Sequence, residues 1–472
     1  MTCRQTCALT GLLFIALSSQ ADDWPQYRGP NGSGVSPSIN LPERFDAKTN
    51  LVWRKPLPPG HSSPVFTKDR IFLTALDGEA QVTISLDRAT GKELWRREAP
   101  RLHRETHNRI NGPASATPVT DGVNVYVFLG DFGLLSYSTD GRERWRLPLG
   151  PFVNQHGPAA SPILADGKLV LVCDQDSGSY MIAVDAATGR VAWKTMRPEY
   201  TRGYATPGVY RPKTGGAQLI VPGSYELAAY ALHTGEKLWW VRGLAWQLKS
   251  LPVIDGDTIY FNGWEPYGDV DQPDVLPEFS KVLAEFDANN NGSLEPSEKP
   301  AYYGAGLFRE ADLNRDGRVD AKEWLFARAR SSSINALFAI RAGGRGDVTE
   351  SNVLWTYRKS LPNTATPLLY KDVLWLIKDG ILTTLHPVTG AVFKQARLTA
   401  ALGTYWGAPV GADGKVFLSN EDGKVVVVKA DPEWEVLAVN DLDETNRGTV
   451  AILGGRLYLR TEAALYCWER KR

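Results

Sequence analysis

The chain of 472 residues is 43% apolar and 22% charged, the composition of an ordinary folded protein. Its 53 Lys and Arg offset 53 Asp and Glu, which excludes a general attraction to nucleic acid or to an anionic membrane surface. The length exceeds what one hydrophobic core fills and points to a repeat architecture or to several domains.

Residues 1–21 read as a signal peptide. Arg4 is the positive n-region, Ala8 to Ser18 is an apolar stretch too short to span a bilayer, and Ser19-Gln20-Ala21 is a small-x-small cleavage site. The expected location is therefore periplasmic or secreted, with no membrane span. Residues 22–49, rich in Pro, Gly and Ser, read as an extended lead-in lying over the domain that follows.

From residue 50 onward the chain repeats. A unit opens at Ser63-Pro64-Val65 and closes at Asp87-Arg88-Ala89-Thr90-Gly91, with Trp95 just beyond. The opening recurs at Pro118, Pro162, Pro207, Pro252, Pro367 and Pro409, and an eighth copy keeps the frame at Thr449-Val450. Consecutive copies lie 40 to 54 residues apart except for one interval of 115. The closing half recurs as Gly141 to Trp145, Gly189 to Trp193 and Gly235 to Trp239; the sixth copy departs, with Gly390 followed by Phe393. A unit of about 40–45 residues holding four short strands is a β-propeller blade. The expected fold is all-β, an eight-bladed propeller over residues 50–472, with the Trp or Phe after each Thr-Gly turn docking between blades. The eighth copy holds only three strands, so Asn50 to Arg54 is expected to supply its fourth and close the ring.

The unit from Leu86 to Trp95, repeated from Val184 to Trp193, resembles the PQQ-like, or quinoprotein-type, propeller repeat. The resemblance covers residues 50–470 apart from one insertion, and it implies the fold more than any one activity. Quinoprotein dehydrogenases of this class use an adjacent Cys pair beside the quinone, plus calcium-binding acidic residues in the ring. Here no two Cys are adjacent and no Cys-x-x-Cys-His haem site exists, so PQQ is not an expected cofactor. The propeller lipoprotein of the outer-membrane barrel-assembly machinery is another relative by repeat type. No Cys follows the apolar stretch here, so no lipid anchor is expected, and that specific role is argued against. Cys173 and Cys467 fall in blades three and eight and are expected to be free, buried thiols.

Residues 96–114 form a longer connection in which His103 and His107 are spaced four apart; without a third ligand nearby it reads as a polar surface loop. The interval of 115 places an insertion at residues 265–332, inside blade five, where periodicity turns helical at Phe279 to Phe286 and Glu323 to Arg330. Two loops in it fit the EF-hand calcium pattern. In the first, Asp287, Asn289 and Asn291 offer side-chain oxygens, Ser293 a backbone carbonyl, Glu295 a water-mediated contact and Glu298 a bidentate carboxylate. In the second, the same roles fall to Asp312, Asn314, Asp316, Arg318, Asp320 and Glu323. Gly292 and Gly317 permit the sharp bend, and Leu294 and Val319 are the apolar residues expected where two loops pair. The loops start only 25 residues apart, with Pro300, Gly304 and Gly306 between them, so the linking helices must be short and a structural or docking role is expected rather than a sensor's opening motion. Arg345-Gly346-Asp347 spells a cell-adhesion tripeptide, which Gly-rich turns often produce.

The innermost strands should line a channel. Three residues before each repeat Pro stand His61, Ser115, Ala159, Tyr204, Lys249, Thr364 and Trp406, with Asn446 by frame, and His156, Trp246 and Arg447 are expected near the same mouth. This mixture of aromatics, cations and imidazoles suits an anionic or sugar-like ligand. The residues immediately before the Pro are mostly small, which lets eight strands converge. The reading is an exported, calcium-binding propeller serving as a binding or scaffold module for another exported or envelope protein. The alternative is an enzyme with its site at the channel mouth, either a PQQ-dependent oxidoreductase or a carbohydrate-active enzyme.

Overall fold

The computed structural model describes residues 24–105, 108, 111–112, 114–266, 269 and 275–471. The segment read as a signal, residues 22 and 23 of the lead-in, and His107 of the paired histidines lie outside the described residues.

Each repeat folds into four antiparallel strands, and the burial of each strand follows from its place in the blade. In blade one these are Val65–Phe66, Arg70–Asp77, Ala80–Asp87 and Glu93–Glu98. The middle strands are apolar on both faces because a neighbouring blade covers each one. Ile71 to Ala75 and Gln81 to Leu86 are buried without a break. The outer strand meets solvent, and Trp95 is its one buried residue. The pattern recurs in eight sheets, blades two to seven opening at Val119, Ile163, Gly208, Val253, Leu368 and Val410, and blade eight at Ala451. Leu51–Pro56 supplies the fourth strand of blade eight, antiparallel to Ala464–Glu469, with Trp53 opposite Cys467 and Lys55 opposite Leu465. N- and C-terminal segments thus share one sheet, and the ring has no open edge there.

Neighbouring blades are joined by two repeated devices. On the outside, a Trp on the last strand of one blade lies over the Thr-Gly turn of the next. Trp95 donates its indole N–H to the Thr139 carbonyl at 2.9 Å, Trp145 to Ala186 at 2.8 Å and Trp193 to Leu232 at 3.0 Å. A Cβ added at Gly141, Gly189 or Gly235 would come within 2.7 Å of the Trp side chain packed on it. Trp239 differs because blade five offers no such turn; its indole bonds Gln218 of its own blade instead. Phe393 of blade six is half-exposed and lies against His386, so it does not dock into blade seven.

On the inside, the backbone N–H just before a repeat Pro is taken up by a Ser or Thr hydroxyl of the next blade. The backbone N–H of Ser63 donates to Thr117 Oγ1 at 3.0 Å, that of Thr117 to Ser161 Oγ at 2.9 Å, and that of Ser161 to Thr206 Oγ1 at 3.0 Å. Leu251 and Ala408 donate in the same way to Thr366 and Thr449. Each bond ties one inner strand to the next blade and satisfies an N–H that would otherwise be orphaned near the axis.

The lead-in crosses the far ends of these inner strands. Trp24 and Pro25 carbonyls accept from Phe66 and Thr120, Asn31 pairs with the Val209 backbone, and Val35 bridges Gly411. Arg28 is fully buried there and donates to the carbonyls of Gly32, Ser33, Thr366 and Pro367.

The insertion in blade five carries three helices, α1 (Phe279–Phe286), α2 (Ala305–Ala311) and α3 (Ala321–Ser332). Val282, Leu294, Tyr303, Phe308, Val319 and Trp324 form its own small core. Gly346–Asp347 of the adhesion-like tripeptide is a fifth strand, parallel to Trp239–Trp240 on the edge of blade four, and the Asp347 carboxylate caps Thr349. Cys173 and Cys467 are free and buried, and burial pushes both thiols up to about 12. Among the described residues no helix is long and apolar enough to cross a membrane.

Candidate functional site

The channel contains a cavity of about 220 Å³. His61, Ser115, Ala159, Tyr204, Lys249, Thr364 and Trp406, the ring position read from the repeat, all line it, as do His156 and Arg447. Asn446 is buried beside the ring, and its neighbour Arg447 takes the lining position. Beneath them the hydroxyls of Ser63, Thr117, Ser161, Thr206 and Thr449 form a second tier, and Tyr27 of the lead-in reaches in from the far side. Among the described residues that line the cavity, none is acidic.

The cations in this cavity are held differently. Arg447 is engaged from behind, pairing with Glu421 at 2.9 Å and with Glu462. Burial and the neighbouring guanidiniums of Arg447 and Arg460 push His61 down to about 4, so its imidazole is neutral at pH 7. His156 is lowered by burial and then by Arg202 and Lys249. Lys249 donates to the Asn363 amide oxygen at 2.9 Å, and burial lowers its pKa to about 8. Its ordinary value of 10.5 lies above this folded value, so the charged form is disfavoured in the fold and stability rises with pH between about 8 and 10.5. Lys249→Met is expected to stabilise the protein by about 1–2 kcal/mol at pH 7, a figure reduced for water in the cavity. Urea titrations at pH 7 and pH 10.5 should show that gain shrinking at the higher pH.

Trp246 is not part of this cavity. Its indole N–H donates to Thr201 Oγ1 at 2.7 Å, and its ring lies between the guanidiniums of Arg202, at 5.2 Å, and Arg330 of α3, at 4.5 Å. It packs with Leu313 and Phe326, so the insertion draws it away from the ring. Tyr225 of blade four donates to the Phe326 carbonyl at 2.9 Å, and Arg315 approaches the buried Asp176 at 3.8 Å. Arg330 pairs with Glu265 and Glu310. These contacts fix the insertion on blades three to five. A second cavity of about 570 Å³ lies along the seam.

The two acidic loops of the insertion share one backbone form. Their fourth residues, Asn290 and Arg315, have φ of 56° and 62°, and Gly292 and Gly317 have φ of 77° and 84°. Leu294 and Val319 exchange both backbone hydrogen bonds, at 3.0 and 2.8 Å. In the first loop the Asp287 carboxylate accepts from the N–H groups of Asn291 and Gly292, and that of Glu298 from Ala288, Asn289 and Glu295. In the second, Asp312 accepts from Asp316 and Gly317, and Glu323 from Leu313, Asn314 and Asp320. Ser293 is tied to Asn291, and Arg318 to Asp316, by their own N–H groups. Among the described residues no three acidic, imidazole or thiol side chains converge into a metal cluster. The donor set itself is all oxygen, three or four carboxylates per loop with amides and carbonyls, which suits a hard cation.

His103 Nε2 lies 2.8 Å from the Gly130 carbonyl of the blade-two turn, which can only accept, and 3.2 Å from the carboxylate of Glu105 in its own connection. Two features escaped the sequence reading. One is the hydroxyl tier, whose trace was the Ser or Thr before five of the seven repeat prolines. The other is the pairing of Asp174 with Arg197 and of Asp176 with Arg202 beside the channel, for which the sequence holds no local signal.

No curated protein sequence matches this one significantly. Solved structures that share its fold include BamB from Moraxella catarrhalis, at a TM-score of 0.56 and 13% identity over 89% of this chain and 98% of that one. Quinohemoprotein alcohol dehydrogenase from Comamonas testosteroni aligns at 0.56 and 12% identity, over 97% of this chain and 82% of that one. A europium-containing methanol dehydrogenase aligns at 0.55 and 11%, over 96% and 99%. At these identities the likeness shows the fold alone. The family model described as outer membrane protein assembly factor BamB matches residues 78–263 and 315–472, passing over α1, the first acidic loop and α2. Its two matched stretches cover most of the propeller, and the chain belongs to that family of PQQ-like propellers.

Proposed function

We propose that the protein is an exported, calcium-binding propeller that serves as a binding or scaffold module in the cell envelope, with another exported or envelope protein as its partner. The observation that carries the calcium reading is the equivalence of the two loops: the same left-handed fourth residue, the same glycine bend, the same closing Glu and a shared two-bond bridge. Asp287, Asn289, Asn291, Ser293, Glu295 and Glu298 would hold one ion, and Asp312, Asn314, Asp316, Arg318, Asp320 and Glu323 the other. With an eight-residue helix before the first loop and one seven-residue helix linking the two loops, the pair reads as a rigid EF-hand module rather than a sensor. The family description, an outer membrane assembly factor, supports a protein-binding role, and the N-terminal signal supports export. The insertion also exposes Tyr302, Leu307 and Leu325, large apolar side chains suited to a protein partner.

Calorimetric titration of residues 22–472 with calcium is expected to show two ions bound, and none in Glu298→Gln/Glu323→Gln. Calcium at 100 times its dissociation constant should stabilise the fold by about 2.7 kcal/mol per site, read as a rise in melting temperature. Absence of heat at millimolar calcium would sink the calcium reading.

A further inference from the structure

Among the described residues no carboxylate pairs with Lys249. Among the described residues its ammonium has one hydrogen-bond acceptor, the neutral Asn363 amide at 2.9 Å, and the indole of Trp264 lies 6.0 Å away. The acidic group it feels is Glu265, already committed to Arg330 and Ser333. Arg447, the other Lys or Arg among the described lining residues, is paired with Glu421 and Glu462. A buried charge in this position is costly unless something brings an opposite charge to it. The lowered pKa of about 8 records that cost, and the ammonium is still mostly charged at pH 7.

The rest of the lining narrows what that partner is. Trp406 lines the cavity, and its buried indole N–H has no acceptor among the described residues. Thr117, Ser161, Thr206 and Thr449 each accept a backbone N–H from the neighbouring blade, which leaves the hydroxyl hydrogen to donate elsewhere. Tyr27 of the lead-in lies below, and the space of about 220 Å³ takes a monosaccharide-sized ligand rather than a polymer. Among the described lining residues, one unpaired cation, several hydroxyls, an aromatic side chain and no carboxylate together describe the complement of a polyhydroxylated carboxylate.

We propose that the channel cavity binds a small sugar acid, its carboxylate on Lys249, its hydroxyls among the Ser and Thr tier, and its apolar face on Trp406. The site is independent of the calcium loops and would stand if they bound nothing.

The test is calorimetry on residues 22–472 with D-glucuronate, D-glucose and acetate as probes at pH 7. Glucuronate is expected to bind at least about 10-fold more tightly than either of the others, a difference of about 1.4 kcal/mol. Lys249→Gln removes the charge, and Asn363→Asp keeps the lysine but gives it a permanent carboxylate. Each is expected to weaken glucuronate by about 10-fold or more. The second variant guards against misfolding, because a paired Lys249 should make the fold no less stable. Near pH 8.5 the heat should depend on the buffer, because the bound carboxylate draws a proton onto Lys249. Three results would overturn the proposal: no glucuronate heat at about 10 mM, where a millimolar site would saturate; equal affinity for glucose or acetate; or unchanged glucuronate binding in folded Asn363→Asp.

Discussion

Trp145→Ala is expected to destabilise the propeller by about 3–5 kcal/mol, read as a lowered urea midpoint with the native fold otherwise retained. Trp145 is 9% exposed, lies 6.0 Å from the ring of Tyr126, and sits on the turn glycine of the next blade. Removing it opens a cavity at the seam of blades two and three and strands the Ala186 carbonyl that accepted its N–H. Blades cannot stand alone, so a loosened seam is felt around the ring. The reciprocal change acts on the same contact. Gly189 has φ of 71°, and an added Cβ would lie 2.6 Å from Trp145, so Gly189→Ala combines backbone strain with a clash. A loss below about 1 kcal/mol for Trp145→Ala would show that the Trp-on-turn contact is not what holds neighbouring blades together.

That contact was legible in the sequence because both partners are unusual residues at a constant interval. Gly91, Gly141, Gly189 and Gly235 each precede a Trp by four residues, and turn and indole can be read without knowing which blade each touches. The inner tier was half legible. Ser63, Thr117, Ser161, Thr206 and Thr366 were read as small, and they are small. Convergence alone would favour Gly or Ala, however; recurrence of β-branched Thr was the sign that a hydroxyl was wanted. Trp246 was placed at the ring on proximity in sequence alone. Which way it turns depends on Leu313 and Arg330, residues of the insertion that lie more than sixty positions further along. Lys249 was visible as a ring residue, but whether a carboxylate faces it, and none does among the described lining residues, depends on every other wall of the cavity, and no linear pattern carries that.

The second large effect concerns a pair that sequence could not have joined. Arg197 and Asp174 are both essentially without solvent exposure and meet in a two-pronged contact, Nε to Oδ1 at 2.7 Å and Nη2 to Oδ2 at 2.8 Å. Nη1 donates to the Tyr230 hydroxyl at 2.6 Å and Nη2 also to the Pro222 carbonyl at 3.5 Å, and the guanidinium lies 4.0 Å from the Tyr200 ring. Burial pushes the Asp174 carboxyl upward and Arg197 offsets part of that, while Asp174 and the tyrosines hold Arg197 well above its ordinary value despite its burial. Asp174→Ala leaves a guanidinium buried without its counterion, and a loss of about 3–5 kcal/mol is expected. Desolvating two ions is itself unfavourable, so Asp174→Leu/Arg197→Met is expected to recover most of that loss, lying within about 1–2 kcal/mol of the parent. Urea midpoints of both single variants and the double variant separate the two contributions. If the double variant stays well below the parent yet loses less than the sum of the singles, the ion pair supplies net stability to the seam of blades three and four. If it returns close to the parent, the pair chiefly fixes how those blades meet beside the channel. The second outcome is the expected one, because the aromatic rings of Tyr200 and Tyr230 give a methionine at position 197 an apolar surface to cover.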